Sequence, residues 1–330
     1  MENEDKQATP FENRIDLSGL QQKYEAALAE IGKKLIGQQR AVELLFAAIL
    51  ADGHVLIEGV PGVAKTYMAK LLARVLDAGF SRIQFTPDLM PSDVTGTNIF
   101  NPQNNSFEFR QGPIFDNVVL IDEINRAPAK TQAALFECME ERQVTADGKN
   151  YPLEPPFIVL ATQNPVEHEG TYKLPEAQLD RFLFKIEVDY PTAEEEVNIL
   201  QGVANGQINN DLQDVQAVIG KQELAEYRTL AGQVLVEPHL LEYIVKLVEN
   251  TRENASLFLG ASPRASIGIL NAAKSLAALR GRDFITPDDI REVTLPVLIH
   301  RIVPTPEKEM EGVDTRQIIN EIIEQVEVPR

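Results

Sequence analysis

Residues 59–66 read Gly59-Val60-Pro61-Gly62-Val63-Ala64-Lys65-Thr66, and they separate two stretches with different hydrophobic patterns. The short apolar run His54-Val55-Leu56-Ile57 before them predicts a buried strand. The apolar residues at helical spacing after them, from Met68 to Val75, predict a helix. A glycine-rich turn between a strand and a helix is the context that a phosphate-binding loop (P-loop) requires. Its backbone N–H groups would surround the phosphates of a nucleotide.

Residue types within this loop suggest separate roles. Lys65 is expected to reach the β- and γ-phosphates, and the Thr66 hydroxyl to ligate Mg²⁺. One position departs from the usual pattern, which has glycine where Ala64 stands. A methyl group is tolerated there if the backbone is already helical, so we expect a negative φ at Ala64. The predicted nucleotide-binding residues are Gly59, Val60, Pro61, Gly62, Val63, Ala64, Lys65, Thr66, Tyr67 and Asp122.

Two further polar groups follow predicted buried strands. Asp122 and Glu123 end the apolar run Val118 to Ile121, and Asn164 follows the run Phe157 to Leu160. Open α/β sheets bind ligands at the carboxyl ends of their strands, which favours a functional interpretation over two solvent-facing acids. We expect Asp122 to hold Mg²⁺ and Glu123 to orient and deprotonate a water molecule. Asn164 could contact the γ-phosphate or that water, although spacing alone favours a turn residue before Pro165.

The chain as a whole predicts two regions. Short apolar strands alternate with helices up to residue 190, which indicates an α/β domain with a doubly wound parallel sheet. Two stretches interrupt this alternation and are read as inserted hairpins, Pro87 to Pro113 and Gln143 to Glu154. Residues 191–330 show only helical periodicity and predict an all-helical domain with an acidic tail beyond Pro304, either a solvated helix or a surface that binds a partner.

Composition narrows the classes of function. The formal net charge of -19 disfavours binding to nucleic acid and to anionic membranes. A single cysteine, Cys138, excludes an intrachain disulfide and shares a helical face with Leu135 and Met139, so we expect it in the core. We find no signal peptide and no apolar run long enough to span a bilayer, and we expect a cytoplasmic protein without membrane insertion.

Five motifs occur together: Gly59 to Thr66, Asp122-Glu123, Asn164, Leu174-Pro175-Glu176-Ala177-Gln178-Leu179-Asp180-Arg181-Phe182 and Ser262-Pro263-Arg264. Together they resemble the MoxR family of AAA+ ATPases, in the clade with a helix-2 insert. The resemblance runs from about Ile36 to about Ile302, which is most of the chain. The resemblance implies a P-loop domain of residues 1–190, a helix-2 insert at about 87–113, a hairpin before sensor 1 at about 143–154, and a helical lid of residues 191–330.

The resemblance also implies roles for individual residues. Lys65 and Thr66 match the Walker A motif, Asp122 and Glu123 match Walker B, and Asn164 matches sensor 1. Arg181 matches the arginine finger, which acts on the ATP of the neighbouring subunit. Arg264 matches sensor 2, a lid arginine that reaches the γ-phosphate, with Mg-ATP bound between the two domains.

The residues alone support the two arginine roles more weakly. Arg181 precedes a predicted strand, and without the resemblance we would interpret it as an ordinary surface arginine. Arg264 falls in the first turn of a predicted helix, where a cation opposes the helix dipole and needs an anionic partner nearby. His168 and Lys173 depart from the commoner family pattern just before Arg181, which leaves details of the subunit interface there open.

For function, the resemblance implies a Mg-dependent ATPase in a homo-oligomeric, hexameric ring. It further implies chaperone-like remodelling or assembly of protein complexes, with clients that include proteins carrying von Willebrand factor A domains. Two alternatives remain open at this point. One is a DNA-dependent motor, which the net charge disfavours. The other is a nucleotide-gated scaffold with little turnover, which the presence of Glu123 disfavours.

Overall fold

The computed structural model describes residues 15–164, 172, 174–209 and 211–329. His168 and Lys173 lie outside these residues. From the N-terminus to the last strand of the central sheet, the helices and strands are α1 (Ser18–Gly32), α2 (Gln39–Leu50), β1 (His54–Gly59), α3 (Lys65–Val75), β2 (Phe80–Gln84), α4 (Pro91–Thr95), β3 (Gly96–Asn101), β4 (Ser106–Gln111), β5 (Val118–Asp122), α5 (Ala129–Glu141), β6 (Gln143–Ala146), β7 (Lys149–Pro152), β8 (Ile158–Gln163), α6 (Glu176–Leu179) and β9 (Phe182–Val188).

The centre of the fold is a five-stranded parallel sheet in the order β2-β5-β8-β1-β9. Successive residues of its strands point to opposite faces, as the pleat requires. In β5, for example, Val118 and Leu120 join one buried apolar cluster, whereas Val119 and Ile121 join the other. Both faces are therefore covered, which explains the unbroken apolar runs in the sequence. The predicted doubly wound α/β fold is confirmed.

Both predicted insertions contain antiparallel hairpins. Strands β3 and β4 pair from Gly96–Gln111 to Asn101–Ser106, and β6 and β7 pair around the turn at Asp147-Gly148. The two hairpins contact each other, because the Phe109 ring stacks on the Tyr151 ring with centroids 4.2 Å apart. This contact joins the two inserts.

The chain continues from β9 into a second region, which we call the lid. Its elements are α7 (Ala193–Ala204), α8 (Lys221–Gly232), α9 (Pro238–Glu253), β10 (Leu257–Leu259), α10 (Pro263–Leu279), α11 (Pro287–Leu298), β11 (Val303–Pro304), α12 (Pro306–Met310) and α13 (Thr315–Gln325). The prediction of an all-helical lid was wrong in one respect, since β10 and β11 form a small antiparallel pair. Strands of three and two residues are too short to show a period in the sequence.

The acidic tail is also more integrated than the sequence suggested. Helix α13 buries Ile318, Ile319, Ile322 and Ile323, which belong to the same apolar cluster as the lid helices and one face of the sheet. The solvated-helix interpretation was therefore wrong for this segment, because its acidic residues occupy one face and its isoleucines the other. Cys138 is buried on α5, as predicted. Among the residues that the structure describes, no helix has the length and apolar character to cross a bilayer.

Two buried histidines fix the amino-terminal edge of the sheet. His54 opens β1, where its Nδ1 accepts a hydrogen bond from the Val159 N–H at 2.9 Å and its Nε2 lies 3.1 Å from the Met139 carbonyl oxygen. His300 follows α11, and its Nε2 lies 2.9 Å from the Phe182 carbonyl oxygen. Each ring is thus hydrogen-bonded to the backbone as a neutral imidazole, in which one nitrogen donates a hydrogen bond.

These histidines predict a loss of stability in mild acid. Burial, reinforced by the charge of Arg142, lowers the pKa of His54 to about 3, and burial also holds the pKa of His300 well below its ordinary value. The folded chain keeps both rings neutral, whereas the unfolded chain protonates them near pH 6.5, so the unfolded state binds more protons. We expect the free energy of unfolding to fall as pH drops below 6.5, with a limiting slope of roughly 1.4 kcal/mol per histidine per pH unit.

Urea unfolding between pH 7.5 and 5.5 measures this slope. His54→Asn should reduce it, and replacing the exposed His239 by glutamine should leave it unchanged. A free energy of unfolding that stays constant across this range would contradict the prediction.

Candidate active site

The P-loop connects the end of β1 to the start of α3 in a tight turn. A Cβ atom at Gly59 would lie 2.5 Å from the Val188 carbonyl oxygen, so only glycine allows β1 and β9 to approach this closely. Gly62 has φ +91, a conformation that favours glycine, and open space lies beside its α-carbon. The Lys65 ammonium group turns back and donates a hydrogen bond to the Gly59 carbonyl oxygen. Burial lowers the pKa of Lys65, and the charges of Asp122 and Glu123 oppose that shift.

Ala64 does not have the negative φ that the sequence led us to expect. Its φ is 61 and its ψ is 21, in the left-handed region, directly before the first helical residue Lys65. The prediction was wrong because the loop needs a left-handed residue to turn into α3, whichever side chain stands there. An L-residue pays about 1 kcal/mol or more in this conformation, which accounts for the glycine of the usual motif.

The backbone of this turn has the donors that a phosphate requires. Within the described residues, none of the N–H groups from Gly62 to Thr66 donates a hydrogen bond to a protein acceptor. Backbone N–H groups at a helix start carry partial positive charge and bind anions well. This arrangement fits the phosphates of a nucleotide.

Asp122 and Glu123 lie beside this turn at the carboxyl end of β5. Asp122 is buried, and its Oδ1 accepts a hydrogen bond from the Thr162 hydroxyl at 3.1 Å. The other oxygen, Oδ2, forms an ion pair with Arg82 Nε at 2.5 Å. Carboxylate and hydroxyl oxygens are the ligands that Mg²⁺ prefers, and the ion usually takes one or two of them from the protein together with phosphate oxygens. Asp122 and Thr66 therefore fit a site for Mg²⁺ bound with a nucleotide.

Glu123 has a constrained backbone and an engaged side chain. Its φ of 58 places it in the left-handed region at the start of a short 3-10 helix, Ile124–Arg126. Its carboxylate pairs with Arg126 Nε at 2.8 Å and accepts a hydrogen bond from Gln84 at 3.2 Å. Strained backbone of this kind is concentrated at functional sites. Two neighbours thus fix the direction in which this carboxylate points.

Asn164 lies at the same edge of the sheet. It directly follows β8, whose last residue, Gln163, pairs with Glu58 next to the P-loop. The structure therefore brings together the P-loop, Asp122, Glu123 and Asn164, as the positions of the motifs predicted. Ligands of open α/β sheets bind at this carboxyl edge.

Arg181 and Arg264 lie at the opposite edge. Arg181 directly precedes Phe182, which pairs with His54 at the beginning of β1, whereas the P-loop follows the end of β1. The six residues of β1 separate the two edges by about 16 Å. Arg264 opens α10 and shares a partner with Arg181, since both guanidinium groups form ion pairs with Glu140, at 2.8 Å for Arg181 and 2.5 Å for Arg264.

This placement bears on the role that the resemblance implies for Arg264. The sequence suggested a lid arginine that reaches the γ-phosphate, with Mg-ATP bound between the two domains. The lid helices α10 and α11 pack against α2 and β9, and the start of α10 lies at the amino-terminal edge of the sheet, so the contact of Arg264 with a nucleotide stays a prediction. Sequence motifs do not show on which side of the sheet a second domain docks.

A buried arginine that no sequence pattern singled out fixes this docking. Arg301 follows α11, and its Nε pairs with Asp180 Oδ1 at 2.8 Å. The same guanidinium donates hydrogen bonds to the carbonyl oxygens of Phe182 and Leu183. Ser262, which caps α10, adds a hydrogen bond to Asp180 at 2.9 Å. These contacts join the lid to the segment that carries Arg181.

Comparisons with known sequences agree with this geometry. The profile described as "ATPase family associated with various cellular activities (AAA)" matches residues 54–184, and the profile of the AAA lid domain matches residues 249–322. Chaperone MoxR1 of Mycobacterium tuberculosis is 44% identical over 317 residues, which cover 93% of this chain and 82% of that protein. Protein MoxR of Paracoccus denitrificans is 32% identical, with 88% and 91% covered.

The chain belongs to the MoxR family of AAA+ ATPases. A solved structure of a candidate ATPase from Cytophaga hutchinsonii is also similar, with 43% identity and a TM-score of 0.88 over 95% of this chain and 97% of that one. As a member of this family the chain is a nucleotide-binding ATPase. AAA+ ATPases usually assemble into oligomeric rings.

Four charged residues of this MoxR-family ATPase were missed by the sequence reasoning: Arg82, Arg126, Glu140 and Arg301. Only Arg126 had a signal, because it stands three residues after Glu123 and side chains at that spacing on a helical turn can meet. The other three find their partners between 40 and 124 residues away along the chain. Such pairs depend on the packing of separate elements, which no local pattern records.

Proposed function

We propose that this ATPase acts as a homo-oligomeric, hexameric ring whose Mg-dependent ATP hydrolysis drives the remodelling or assembly of protein complexes. One observation carries the ring: the residues that would bind the nucleotide and the two arginines lie at opposite edges of the sheet. A contact that joins opposite edges of identical subunits is heterologous, and such contacts generate a ring when the rotation between subunits closes. Arg181 and Arg264 of one subunit would then face the P-loop of the next.

In this proposal the residues of one chain divide the work. The P-loop N–H groups and Lys65 position the β- and γ-phosphates, and Thr66 and Asp122 hold Mg²⁺, which neutralises phosphate charge when bound. Glu123 orients the attacking water and accepts its proton, with Asn164 beside it. Arg181 and Arg264 of the neighbour stabilise the charge on the transferred phosphoryl group, because phosphoryl transfer depends mostly on positioning and electrostatics.

Two weaker observations support a protein as the client of this ATPase. MoxR1, a relative of this chain, is named as a chaperone. The net charge of -19 favours protein clients over nucleic acid. We propose protein complexes as clients, including proteins with von Willebrand factor A domains, and we expect no role for DNA.

The dependence of ATP turnover on assembly tests the proposed ring. We expect ATP turnover per chain to rise with protein concentration, in step with the fraction of ring measured by sizing. Adding single- or double-stranded DNA at physiological salt should leave the rate unchanged. Full turnover by a monomer would overturn the ring, and a several-fold stimulation by DNA would favour a DNA-dependent motor instead.

A further inference from the structure

We propose that Glu140 is a positioning residue that holds Arg181 and Arg264 as one unit for the active site of the neighbouring subunit. This inference rests on the proposed ring. The one carboxylate spans both domains, since Oε2 pairs with Arg181 Nε of the α/β domain and Oε1 pairs with Arg264 Nη2 of the lid. Neither arginine alone defines where the other points, whereas the shared carboxylate fixes both.

The remaining contacts of Arg181 leave part of its guanidinium available. Its Nη1 donates a hydrogen bond to the Phe136 carbonyl oxygen at 2.7 Å, and its guanidinium carbon lies 5.9 Å from the centre of the Phe136 ring. Within the described residues, Nη2 donates no hydrogen bond. Two of the three nitrogens therefore set the orientation and the third is left for an external anion. A planar guanidinium held in this way presents its free edge in a fixed direction.

The helix dipoles make the positions of Glu140 and Arg264 unfavourable unless each side chain has a partner of opposite charge. Glu140 lies in the last turn of α5, where a carboxylate opposes the negative end of the helix. Arg264 lies in the first turn of α10, where a cation opposes the positive end. The ion pair satisfies both, and it supplies the anionic partner that the position of Arg264 requires. The cavity at this edge is lined by four arginines and three carboxylates, so net positive charge remains to attract a phosphate; these residues are Arg142, Arg181, Arg264 and Arg301, with Asp52, Glu140 and Asp180.

Stability alone gives a poor account of this cluster. The side chains of Glu140, Arg181 and Arg264 are 36%, 31% and 52% exposed. Ion pairs with this much solvent contact contribute little to folding, with a median between 0 and about 1 kcal/mol. The lid is already joined to the same segment by the buried Arg301. Removing the Glu140 charge should therefore disturb the orientation of the arginines more than the fold.

The test compares Glu140→Gln with Glu141→Gln, its exposed neighbour on the same helix. We expect Glu140→Gln to lower kcat by about 10- to 100-fold, the effect of misplacing a catalytic group by about 1 Å. The KM for ATP and the urea midpoint should stay unchanged, because the P-loop is intact. Glu141→Gln should behave as wild type. Glu140→Asp, which keeps the charge but shortens the reach, should have an intermediate kcat.

Two combinations separate positioning from a structural role. Mixing Glu140→Gln with Lys65→Ala should restore turnover, since the Lys65→Ala chain supplies an intact arginine edge to the intact P-loop of its neighbour. Within an Arg181→Ala, Arg264→Ala chain, Glu140→Gln should add no further loss, because coupled residues are not additive. Should Glu140→Gln fail to assemble, Glu140→Asp serves in the same mixtures.

Wild-type kcat for Glu140→Gln overturns the positioning role, as does a defect that persists in mixed rings of confirmed assembly. A fall in the urea midpoint large enough to account for the lost activity also overturns it. The proposed ring has a separate criterion. If Arg181→Ala hydrolyses ATP at the wild-type rate, the ring mechanism fails. If Arg181→Ala hydrolyses ATP slowly while Glu140→Gln hydrolyses it at the wild-type rate, only the role of Glu140 is refuted.

Discussion

Lys65→Ala is expected to abolish tight ATP binding. Its ammonium group is the only lysine charge at the turn of the P-loop, at the start of α3, and there it lies near the carboxylates of Asp122 and Glu123. Removing one member of a charge pair that is shielded from water costs about 3 kcal/mol or more, which corresponds to over a hundredfold in affinity. Isothermal titration with ATP measures the change directly.

Lys70→Ala provides the matched control. This lysine lies on the same helix, five residues further on, and is exposed. We expect its ATP affinity to equal that of the wild type, and both variants to have the wild-type urea midpoint. Unchanged ATP affinity in Lys65→Ala would refute the nucleotide site at the P-loop, and with it the role of Thr66.

The features that could be predicted from the sequence are those that local patterns encode. Apolar runs of four to six residues give buried strands, and the direction of a parallel strand fixes which end carries its motif. The P-loop, Asp122-Glu123 and Asn164 were therefore expected at one edge, and they lie there. The hairpin at Asp147-Gly148 was equally predictable from the sequence, since Asp-Gly is a strong signal for a hairpin turn.

The features that could not be predicted depend on how separate elements pack. Arg264 follows an N-cap that the sequence shows clearly, but the side of the sheet on which α10 docks is decided by Arg301 and Asp180, which lie 121 residues apart. The left-handed φ of Ala64 was missed for a different reason. We inferred the conformation from the side chain, whereas the path of the loop into α3 determines it.

Arg181→Ala is expected to keep ATP affinity nearly intact and to slow hydrolysis strongly. The P-loop and Lys65 are untouched, while an arginine finger is worth on the order of 10³–10⁵ in rate where this has been measured in GTPases. Titration with ATP and steady-state turnover of the assembled protein separate the two effects. Hydrolysis by Arg181→Ala at the wild-type rate would show that Arg181 is a surface arginine.

Mixing this variant with Lys65→Ala tests whether the arginine acts on the next subunit. Each chain is inactive alone, one for lack of the finger and the other for lack of nucleotide binding. In a random equal mixture, about one quarter of the interfaces pair an intact P-loop with an intact arginine edge, because each interface of a ring joins two different surfaces. Part of the activity should therefore return. Mixed rings whose assembly is confirmed by sizing but which stay inactive would contradict action between subunits.

The same mixture made with Arg264→Ala decides on which chain the lid arginine acts. If Arg264 serves the neighbour, as its ion pair with Glu140 indicates, Lys65→Ala chains should rescue Arg264→Ala. If it serves the nucleotide of its own chain, no rescue is possible, because every intact P-loop in the mixture then belongs to a chain without the arginine. Arg181→Ala mixed with Arg264→Ala completes the test. When both arginines belong to one edge, every edge in that mixture lacks one of them, so the rings should remain slow. Restored turnover in this last mixture would show that the two arginines of one chain serve two different active sites, one its own and the other that of its neighbour.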